Sequence, residues 1–350
     1  MRRVLVARLD SLGDVVLAGP AVRAVAAHAE AVLLTGPRGS AVAPLLPGVS
    51  EHLEWDCPWI GNPPARASEA HLGALERLIA GAGVEEAVIL TSFHQSPLPL
   101  ALELRRCGVA RITGLSEDYP GSLLDVRVTS RDLPWELHEA DRALGIAAAA
   151  GFALPADDDG LPALARTAPS AVRPPGEYVV VHPGADVPAR AWPASHAAEL
   201  VSLLAARGIT VVVTGGPGER ELTERVAGAA GTDLGGKTDV PALVDVLAGA
   251  SAVVVGNTGP AHLAAAVRTP VVSLFSPVVS AQSWGPRGGP SVLLGQQDEA
   301  CAGSRARECP VPGHPCLASV TPEDVLAALA GVTGLAGLAG LPTAPTGAVA

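Results

Sequence analysis

Uninterrupted apolar runs, rather than alternating ones, mark the candidate strands of this chain. Residues 4–9 form one such run, in which Arg8 is the single charged member, and residues 252–256 form another that is mostly valine. Strands that are apolar at every position are typical of parallel sheets covered by helices on both faces. The pattern therefore predicts strands alternating with helices, as in doubly wound α/β folds.

The alternation of strands and helices occurs twice. Residues 156–175 separate the two blocks and carry an Asp-Asp-Asp-Gly run and several prolines. We therefore expect an N-terminal Rossmann-like domain over 1–155, a Pro-rich linker over 156–175 and a C-terminal Rossmann-like domain over 176–333. The Gly-rich and Pro-rich residues 334–350 are expected to be a disordered tail. Two such domains facing each other would place their strand ends on a central cleft.

The segment after the valine run predicts an anion site. Asn257, Thr258 and Gly259 are turn and N-cap residues, and proline is tolerated at the start of a helix, where Pro260 stands. The first N–H groups of that helix and its positive dipole end favour phosphate, with His262 in the first turn. The alternative is an ordinary strand-to-helix junction with a half-buried histidine.

Charge and composition exclude several classes of protein. The net charge is −11 without a basic cluster, which argues against a nucleic-acid partner. Five cysteines in 350 residues do not make a disulfide framework. The first residues lack the pattern of a signal peptide, and the long uncharged run over 325–350 holds too many glycines and prolines for a membrane helix. We expect a cytoplasmic protein.

Four motifs occur in a fixed order along the chain. They are Ser11-Leu12-Gly13-Asp14, His182-Pro183-Gly184-Ala185, Arg190-Ala191-Trp192-Pro193 and Asn257-Thr258-Gly259-Pro260-Ala261-His262. Together they resemble glycosyltransferase family 9, the ADP-heptose heptosyltransferases, from residue 1 to about residue 330. The resemblance implies the two-domain GT-B fold and inverting, metal-independent transfer of a heptose. Its implied donor is ADP-heptose, and its implied acceptor is a surface glycan such as a lipopolysaccharide core.

Two residues are the candidates for catalysis. Asp14 lies in the loop after the first strand, where a carboxylate can take the proton of an acceptor hydroxyl, and the resemblance implies that it is the catalytic base. It could instead cap the helix predicted from residue 15. Arg190 stands where the family usually has a lysine, and its charge suits a departing diphosphate. Asp10 is expected to be a solvated loop residue.

The donor is expected in the C-terminal domain. Thr258, Gly259, Pro260 and His262 would hold the diphosphate, although the family commonly has aspartate in place of Asn257. The resemblance places Lys237 and Thr238 beside the base, and Glu219 is placed to accept from a ribose hydroxyl. The alternatives are a solvated loop lysine and a glutamate favoured by a helix start.

The acceptor is expected on the N-terminal domain. Ser11, Gly13 and His94 are its candidate contacts, the last within Phe93-His94-Gln95-Ser96 after a predicted strand. A buried histidine with satisfied hydrogen bonds is the alternative for His94. The acceptor class stays open between a glycan, a glycolipid and a small-molecule glycoside. A lipid-linked acceptor would bring the protein to a membrane surface, and no protein partner is implied.

No cofactor or metal is expected. The spacing of Cys301, Cys309, His314 and Cys316 fits no paired zinc pattern, so we interpret these cysteines as free and reduced. The chain has no Gly-x-Gly-x-x-Gly and no P-loop. Two rival functions remain: a sugar-nucleotide epimerase or hydrolase on the same fold, and an inactive member that binds sugar nucleotide.

Overall fold

Two compact units divide the chain, Met1–Ala165 and Arg166–Ala350. A computed structural model describes residues 2–61, 63–92 and 94–341, so Phe93 and the end of the predicted tail lie outside the described residues. Each unit has its own six-stranded sheet, in which all strand pairs are parallel. The sequence prediction of an α/β fold with doubly wound parallel sheets is therefore confirmed.

The first unit has the strand order β3-β2-β1-β4-β5-β6. Its strands are β1 (Arg3–Arg8), β2 (Glu30–Thr35), β3 (Val49–Glu54), β4 (Glu86–Ile89), β5 (Arg111–Leu115) and β6 (Val126–Val128). Its helices are α1 (Leu12–Leu17), α2 (Gly19–Ala26), α3 (Pro37–Ser40), α4 (Glu69–Ala82), α5 (Leu98–Arg106) and α6 (Glu139–Ala149). The strand order reverses between β1 and β4, and ligands of such sheets bind beyond the carboxyl ends of the strands at that point.

The second unit has the strand order β12-β11-β10-β7-β8-β9. Its strands are β7 (Tyr178–His182), β8 (Thr210–Val213), β9 (Thr232–Asp233), β10 (Ala252–Gly256), β11 (Val271–Leu274) and β12 (Ser291–Leu294). Its helices are α7 (Ala194–Ala205), α8 (Arg220–Ala227), α9 (Val240–Gly249), α10 (Gly259–Ala266), α11 (Ala281–Trp284), α12 (Pro315–Ala318) and α13 (Pro322–Val332). Here the order reverses between β7 and β10.

Valine-rich strands build the centre of the second unit. All residues of β7 and β10 are buried, because helices cover both faces of the sheet. The same holds in β1, where the residues from Val4 to Arg8 are buried although the last of them is charged. The continuous apolar runs thus identify the central strands correctly.

The helix predicted over 15–29 is two helices that begin earlier. Ser11 is the N-cap of α1, and α2 follows directly, with Gly19 and Pro20 as its first residues. Proline suits the first turn of a helix but lacks the N–H that would continue the preceding one. Asp14 is therefore the third residue of α1 and not its N-cap, although its carboxylate accepts the Ser11 N–H and so takes part in capping this helix.

The segments predicted as linker and tail pack against the units. Arg23 of α2 pairs with Asp158 through Nε at 2.6 Å, and the Ser170 N–H donates to Asp245 over 2.8 Å. Leu335 and Leu338 are buried in the core of the second unit. The prediction of a disordered tail is thus wrong for 334–341, because apolar side chains there find a place in the core. Among the described residues, no helix is long and apolar enough to cross a membrane.

Candidate active site

Asp14 is held at the start of α1 by the residue that caps this helix. Its Oδ2 accepts hydrogen bonds from the Ser11 N–H over 3.0 Å and from the Ser11 hydroxyl over 2.5 Å. Gly13, the residue before it, is buried, whereas Ser11 and Asp14 are partly accessible. Asp14 therefore presents a carboxylate of fixed orientation beyond the carboxyl end of β1.

A buried arginine organises the charges around Asp14. Arg8, the last residue of β1, is 2% exposed. Its Nη2 donates to Asp14 Oδ1 over 3.0 Å, and its Nε lies 2.9 Å from Asp10 Oδ2. Asp10 is 6% exposed and also accepts from the Gln95 amide, so the prediction that Asp10 is a solvated loop residue is wrong. Charged groups leave water only when opposite charges and hydrogen bonds compensate them.

Glu139 completes this cluster from a distant part of the sequence. As the first residue of α6 it is 2% exposed, and its Oε2 lies 3.3 Å from Arg8 Nη2. Its other oxygen accepts from Arg142, whose guanidinium stacks over Trp135 at 5.1 Å from the ring centroid. The sequence analysis missed both Arg8 and Glu139. A charge inside an apolar strand was the sequence signal that could have identified Arg8. No such signal in the sequence pointed to Glu139.

Burial and neighbouring opposite charges shift the pKa values of the cluster in opposite directions. Burial raises the pKa of Asp10, with Arg8 opposing and Asp14 reinforcing the shift. Burial also raises the pKa of Glu139, against the attraction of Arg8 and Arg142. Burial alone would lower the pKa of Arg8, but the carboxylates of Asp10, Asp14 and Glu139 outweigh it and raise that pKa. Arg8 is therefore a permanent cation.

The loop after β4 borders the same cluster. Ser92 Oγ accepts from Arg8 Nη2 over 2.9 Å and lies 3.3 Å from Asp10 Oδ2. His94 follows in this loop and is exposed, so the alternative of a buried histidine is wrong. The structure thus brings the loop of His94 and the Ser11 turn to the same end of the sheet.

A cavity of about 440 Å³ opens beyond β1, β2 and β3. Asp10 follows β1, Arg38 follows β2 and Asp56 follows β3, and all three line it, together with Leu9 and Ile60. Carboxylates beside apolar side chains suit a sugar, which offers hydroxyl donors at its rim and C–H groups on its faces. Because Asp10 belongs to the buried cluster, the cavity adjoins the charges around Asp14.

Strand ends of the second unit gather the residues predicted to bind the donor. Thr258 is the N-cap of α10, in which Gly259 and Pro260 come first and His262 is buried. The N-terminus of this helix, with the positive end of its dipole, follows directly on β10. Asn257, between strand and helix, is 5% exposed, and its Nδ2 has no hydrogen-bond partner among the described residues. A buried amide donor and a helix start thus lie together at this strand end.

Glu219 packs across the glycine motif after β7. Its Oε2 accepts from the Gly216 N–H over 2.7 Å. A β-carbon at Gly184 would lie 1.8 Å from Glu219 Oε1, so any larger residue there would have to displace the Glu219 carboxylate. His182, at the end of β7, contacts the Thr214 hydroxyl over 3.0 Å, and burial lowers its pKa although Glu219 and Asp186 oppose the shift. His182 is therefore a neutral group at neutral pH.

Lys237 and Thr238 lie beyond β9, beside the glycines that follow β8. The Gly236 N–H donates to the Gly215 carbonyl over 2.9 Å, which ties the two loops together. Lys237 is exposed and donates to the Asp233 carbonyl over 2.7 Å, within its own loop. Its role in nucleotide binding therefore stays a prediction.

Arg190 ends a short 3-10 turn, Pro188–Arg190, that lies against β10. A β-carbon at Gly256 would lie 3.0 Å from the Arg190 carbonyl oxygen, so the turn approaches the strand closely at that glycine. The residue before it is bonded on both sides: Ala189 N–H donates to the Arg307 carbonyl over 2.9 Å, and its own carbonyl lies 3.2 Å from His314 Nε2. The structure thus brings the Arg190 turn to the strand that leads to Thr258.

The cysteine-bearing segment packs around this turn. Cys301 is buried with Ala189 and Val278 in a small apolar cluster, against which Cys309 packs. All five cysteines are free. Within 2–61, 63–92 and 94–341, no group of histidine, cysteine, aspartate and glutamate residues is arranged to hold a metal ion. The segment supports the position of the Arg190 turn.

A model of glycosyltransferase family 9 (heptosyltransferase) matches residues 111–314, more than half of the chain. The chain belongs to glycosyltransferase family 9. Over 188 residues it is 31% identical to lipopolysaccharide heptosyltransferase 1 of Pseudomonas aeruginosa, covering 52% of the chain and 53% of that protein. The matched segments span about half, or less, of the length of the curated relatives.

Solved structures of heptosyltransferases have the same fold as this family 9 protein. ADP-heptose lps heptosyltransferase II of E. coli superimposes with a TM-score of 0.70 at 20% identity, covering 94% of the chain and 98% of that structure. E. coli heptosyltransferase WaaC with ADP-2-deoxy-2-fluoro heptose gives a TM-score of 0.67 at 21% identity, covering 92% and 97%. The fold is therefore GT-B.

Proposed function

We propose that this family 9 protein is an inverting glycosyltransferase that moves a heptose from ADP-heptose to a hydroxyl of a glycan acceptor, without a metal. The observation that carries the proposal is the carboxylate of Asp14, held by Ser11 and Arg8 at the reversal point of the first sheet. Membership of the heptosyltransferase family supports the sugar. The ADP sugar bound to heptosyltransferase WaaC of E. coli supports the nucleotide.

Asp14 acts as the general base in this proposal. Its carboxylate takes the proton of the acceptor hydroxyl while the hydroxyl oxygen attacks the anomeric carbon of the donor. The new bond forms on the face opposite the leaving group, and the bond from that carbon to the diphosphate breaks with its electron pair on ADP. The guanidinium of Arg8, 3.0 Å from Asp14 Oδ1, stabilises the ionised form that accepts the proton.

The second unit stabilises the departing ADP. Arg190 supplies a cation, and the N-terminus of α10 supplies the positive end of its dipole to the diphosphate, whose charge grows as the bond breaks. Asn257 supports this assignment, since its buried Nδ2 has no partner among the described residues and can donate to a phosphate oxygen. Glu219, Lys237 and Thr238 are the residues we assign to the ribose and base.

The acceptor binds in the first unit. The cavity of about 440 Å³ beside Asp10 supports this assignment, and Ser11, Gly13 and His94 lie at the same end of the sheet. We propose an acceptor sugar of a surface glycan such as the lipopolysaccharide core, in line with the lipopolysaccharide heptosyltransferases among the relatives. We further propose that the protein works in the cytoplasm.

The test is a transfer assay with ADP-heptose and a deacylated lipopolysaccharide core oligosaccharide, run in excess EDTA. We expect ADP release that depends on the oligosaccharide, a product heavier by one heptose, and an anomeric configuration by NMR opposite to that of the donor. Equal ADP release without acceptor would identify a hydrolase instead. Dependence on added divalent metal or retention of configuration would contradict the mechanism, and binding of ADP-heptose without any turnover would indicate an inactive member.

A further inference from the structure

One nitrogen of Arg8 faces three acceptors. Nη2 lies 3.0 Å from Asp14 Oδ1, 2.9 Å from Ser92 Oγ and 3.3 Å from Glu139 Oε2. A guanidinium Nη carries two hydrogens, so it cannot give a full hydrogen bond to all three acceptors at once. Asp14 and Glu139 therefore compete for the same donor, and a change at Glu139 alters the hydrogen bond that Arg8 donates to Asp14.

The cap of α6 and Arg142 hold the Glu139 side chain in place, in addition to Arg8. His138 caps α6 by accepting the Ala140 N–H at its ring Nδ1 over 3.2 Å, and the dipole of the helix start favours the Glu139 carboxylate that follows. Arg142, 2% exposed, donates to the other Glu139 oxygen and to the Trp135 carbonyl over 3.3 Å. The glutamate thus bridges two buried arginines and holds one orientation.

Stability alone does not account for this arrangement. Replacing buried ion pairs by apolar side chains is often neutral or stabilising, so a fold gains little by burying two arginines with the carboxylates of Asp10 and Glu139. The arrangement does give Asp14 a neighbouring cation of fixed position and a second carboxylate close enough for the charge of Asp14 to raise the pKa of Glu139. The two carboxylates thus repel each other while they share the Arg8 guanidinium.

We propose that Glu139 is a positioning residue for the general base Asp14: it shares the Arg8 guanidinium with Asp14 and thereby sets the orientation and the basicity of that carboxylate. This inference rests on the proposed function of Asp14 and assigns Glu139 no contact with substrate. Through Arg8, which stands 131 positions before it in the sequence, Glu139 sets how readily Asp14 takes the acceptor proton.

Other charged groups surround α1 and must be distinguished from Glu139. The helices that pack against α1 are α2, α3 and α6. Their charged or titratable residues are Arg23 on α2, Arg38 on α3, and Glu139, Asp141 and Arg142 with the capping His138 on α6, beside Arg8 and Asp10 from the strand end. Arg23 is paired with Asp158, and Arg38 is exposed. Glu139 is the carboxylate of α6 that bonds Arg8.

The test compares Glu139→Gln with Asp158→Asn in the full-length enzyme. Both changes remove one carboxylate charge from an arginine pair of the first unit, but only the first touches Arg8. We expect Glu139→Gln to lower kcat by about three- to tenfold, with KM for the donor unchanged, because Asp14 becomes a weaker base. The acidic limb of kcat/KM should move to lower pH by about one unit. Asp158→Asn should leave kcat and this limb unchanged.

A second variant separates positioning from folding. Glu139→Asp keeps the charge but withdraws the carboxylate from Arg8 by one methylene, so we expect an intermediate fall in kcat. Wild-type kcat and pH dependence in either Glu139 variant, or an equal loss in Asp158→Asn, would overturn the inference. If Asp14→Asn still transfers sugar, the proposed base itself is wrong. If Asp14→Asn is inactive while Glu139→Gln matches the wild type, the positioning role alone is wrong.

Discussion

At the scale of single residues, burial decides how the charges around Asp14 behave. Arg8 and Glu139 are each 2% exposed, and the carboxyl of Glu139 has a raised pKa because burial disfavours its ionised form. A carboxyl whose pKa is higher in the folded than in the unfolded protein binds its proton more readily when folded. Its contribution to stability is fully present below the unfolded value, about 4.3, and is lost as the pH rises through the folded value.

This sign gives a prediction for thermal unfolding. We expect the stability of the wild type relative to Glu139→Gln to be larger at pH 5 than at pH 8, measured as the difference in melting temperature. Asp158→Asn is the control. In the wild type, the hydrogen bond from Arg23 lowers the pKa of the Asp158 carboxyl. The contribution of this carboxylate to stability is therefore constant from pH 8 to pH 5, and it is lost only as the pH falls through the pKa of the folded protein. A difference for Glu139→Gln that stays constant or shrinks at pH 5 would contradict the assignment.

The proposed donor site takes its cation from Arg190. Removing a charge-assisted hydrogen bond costs about 1.5–3 kcal/mol. We therefore expect Arg190→Ala to weaken ADP binding by about 10- to 150-fold in a calorimetric titration without metal. Arg190→Lys should lose less affinity, because lysine keeps the charge but not the paired N–H donors of the guanidinium. Arg207→Ala, an exposed arginine of the same unit, should bind ADP like the wild type. Equal affinities for Arg190→Ala and the wild type would remove Arg190 from the site.

At the scale of elements, the segment from Cys301 to Cys316 fixes the turn that carries Arg190. His314 has a positive φ of 50°, which is uncommon for a residue other than glycine, and its ring lies against the Ala189 carbonyl. Backbone strain of this kind persists only where the surroundings enforce it. The strained backbone at His314 thus places its ring against Ala189, the residue before Arg190.

Replacing His314 tests this support. Asparagine tolerates the left-handed conformation but does not reach the Ala189 carbonyl as the imidazole does. We expect His314→Asn to weaken ADP binding severalfold, by calorimetry, without loss of the folded circular dichroism spectrum. Arg305→Asn, the same replacement at another positive φ of this segment, is the control and should bind ADP normally. If both variants bind ADP like the wild type, the segment does not position Arg190.

Strands buried on both faces could be predicted from the sequence, whereas the edge strands β9 and β12 could not. The valine runs of β7 and β10 need burial on both faces, which identifies them without further information. The two residues of β9 are too few to show a pattern of their own, and only one of the four residues of β12 is buried.

The site divides in the same way. Asp14 and Arg190 could be proposed as site residues because they stand within motifs that are continuous in the sequence. The contact of Arg8 with Glu139 spans 131 positions and depends on where α6 packs, which no local pattern contains. From the lone arginine in the buried strand β1, the sequence could predict that carboxylates lie nearby, but not which carboxylates they are.

At the scale of the whole molecule, the chain consists of two units with separate sheets and cores. The second unit has its own extensive apolar core, which β7, β8, β10, β11 and β12 share with the helices that cover them. A unit with its own core can fold alone. All residues assigned to the donor nucleotide belong to this unit.

Expressing the units separately tests this division. We expect residues 166–350 to fold and to bind ADP with the affinity of the full chain, measured by calorimetry, whereas residues 1–165 fold without binding ADP. Neither fragment should transfer sugar, because Asp14 and Arg190 are then on different chains. ADP binding by residues 1–165 would contradict the assignment of the donor to the second unit.

The central claim is that Asp14 is the base for transfer from ADP-heptose, and the most direct measurement is the transfer rate of Asp14→Asn. Asparagine keeps the shape of the side chain at the start of α1 but cannot take a proton. We expect kcat to fall by about 10²- to 10⁴-fold, with ADP affinity and melting temperature close to those of the wild type. A variant that transfers heptose at a rate close to the wild type would show that Asp14 is only a structural residue of the α1 turn.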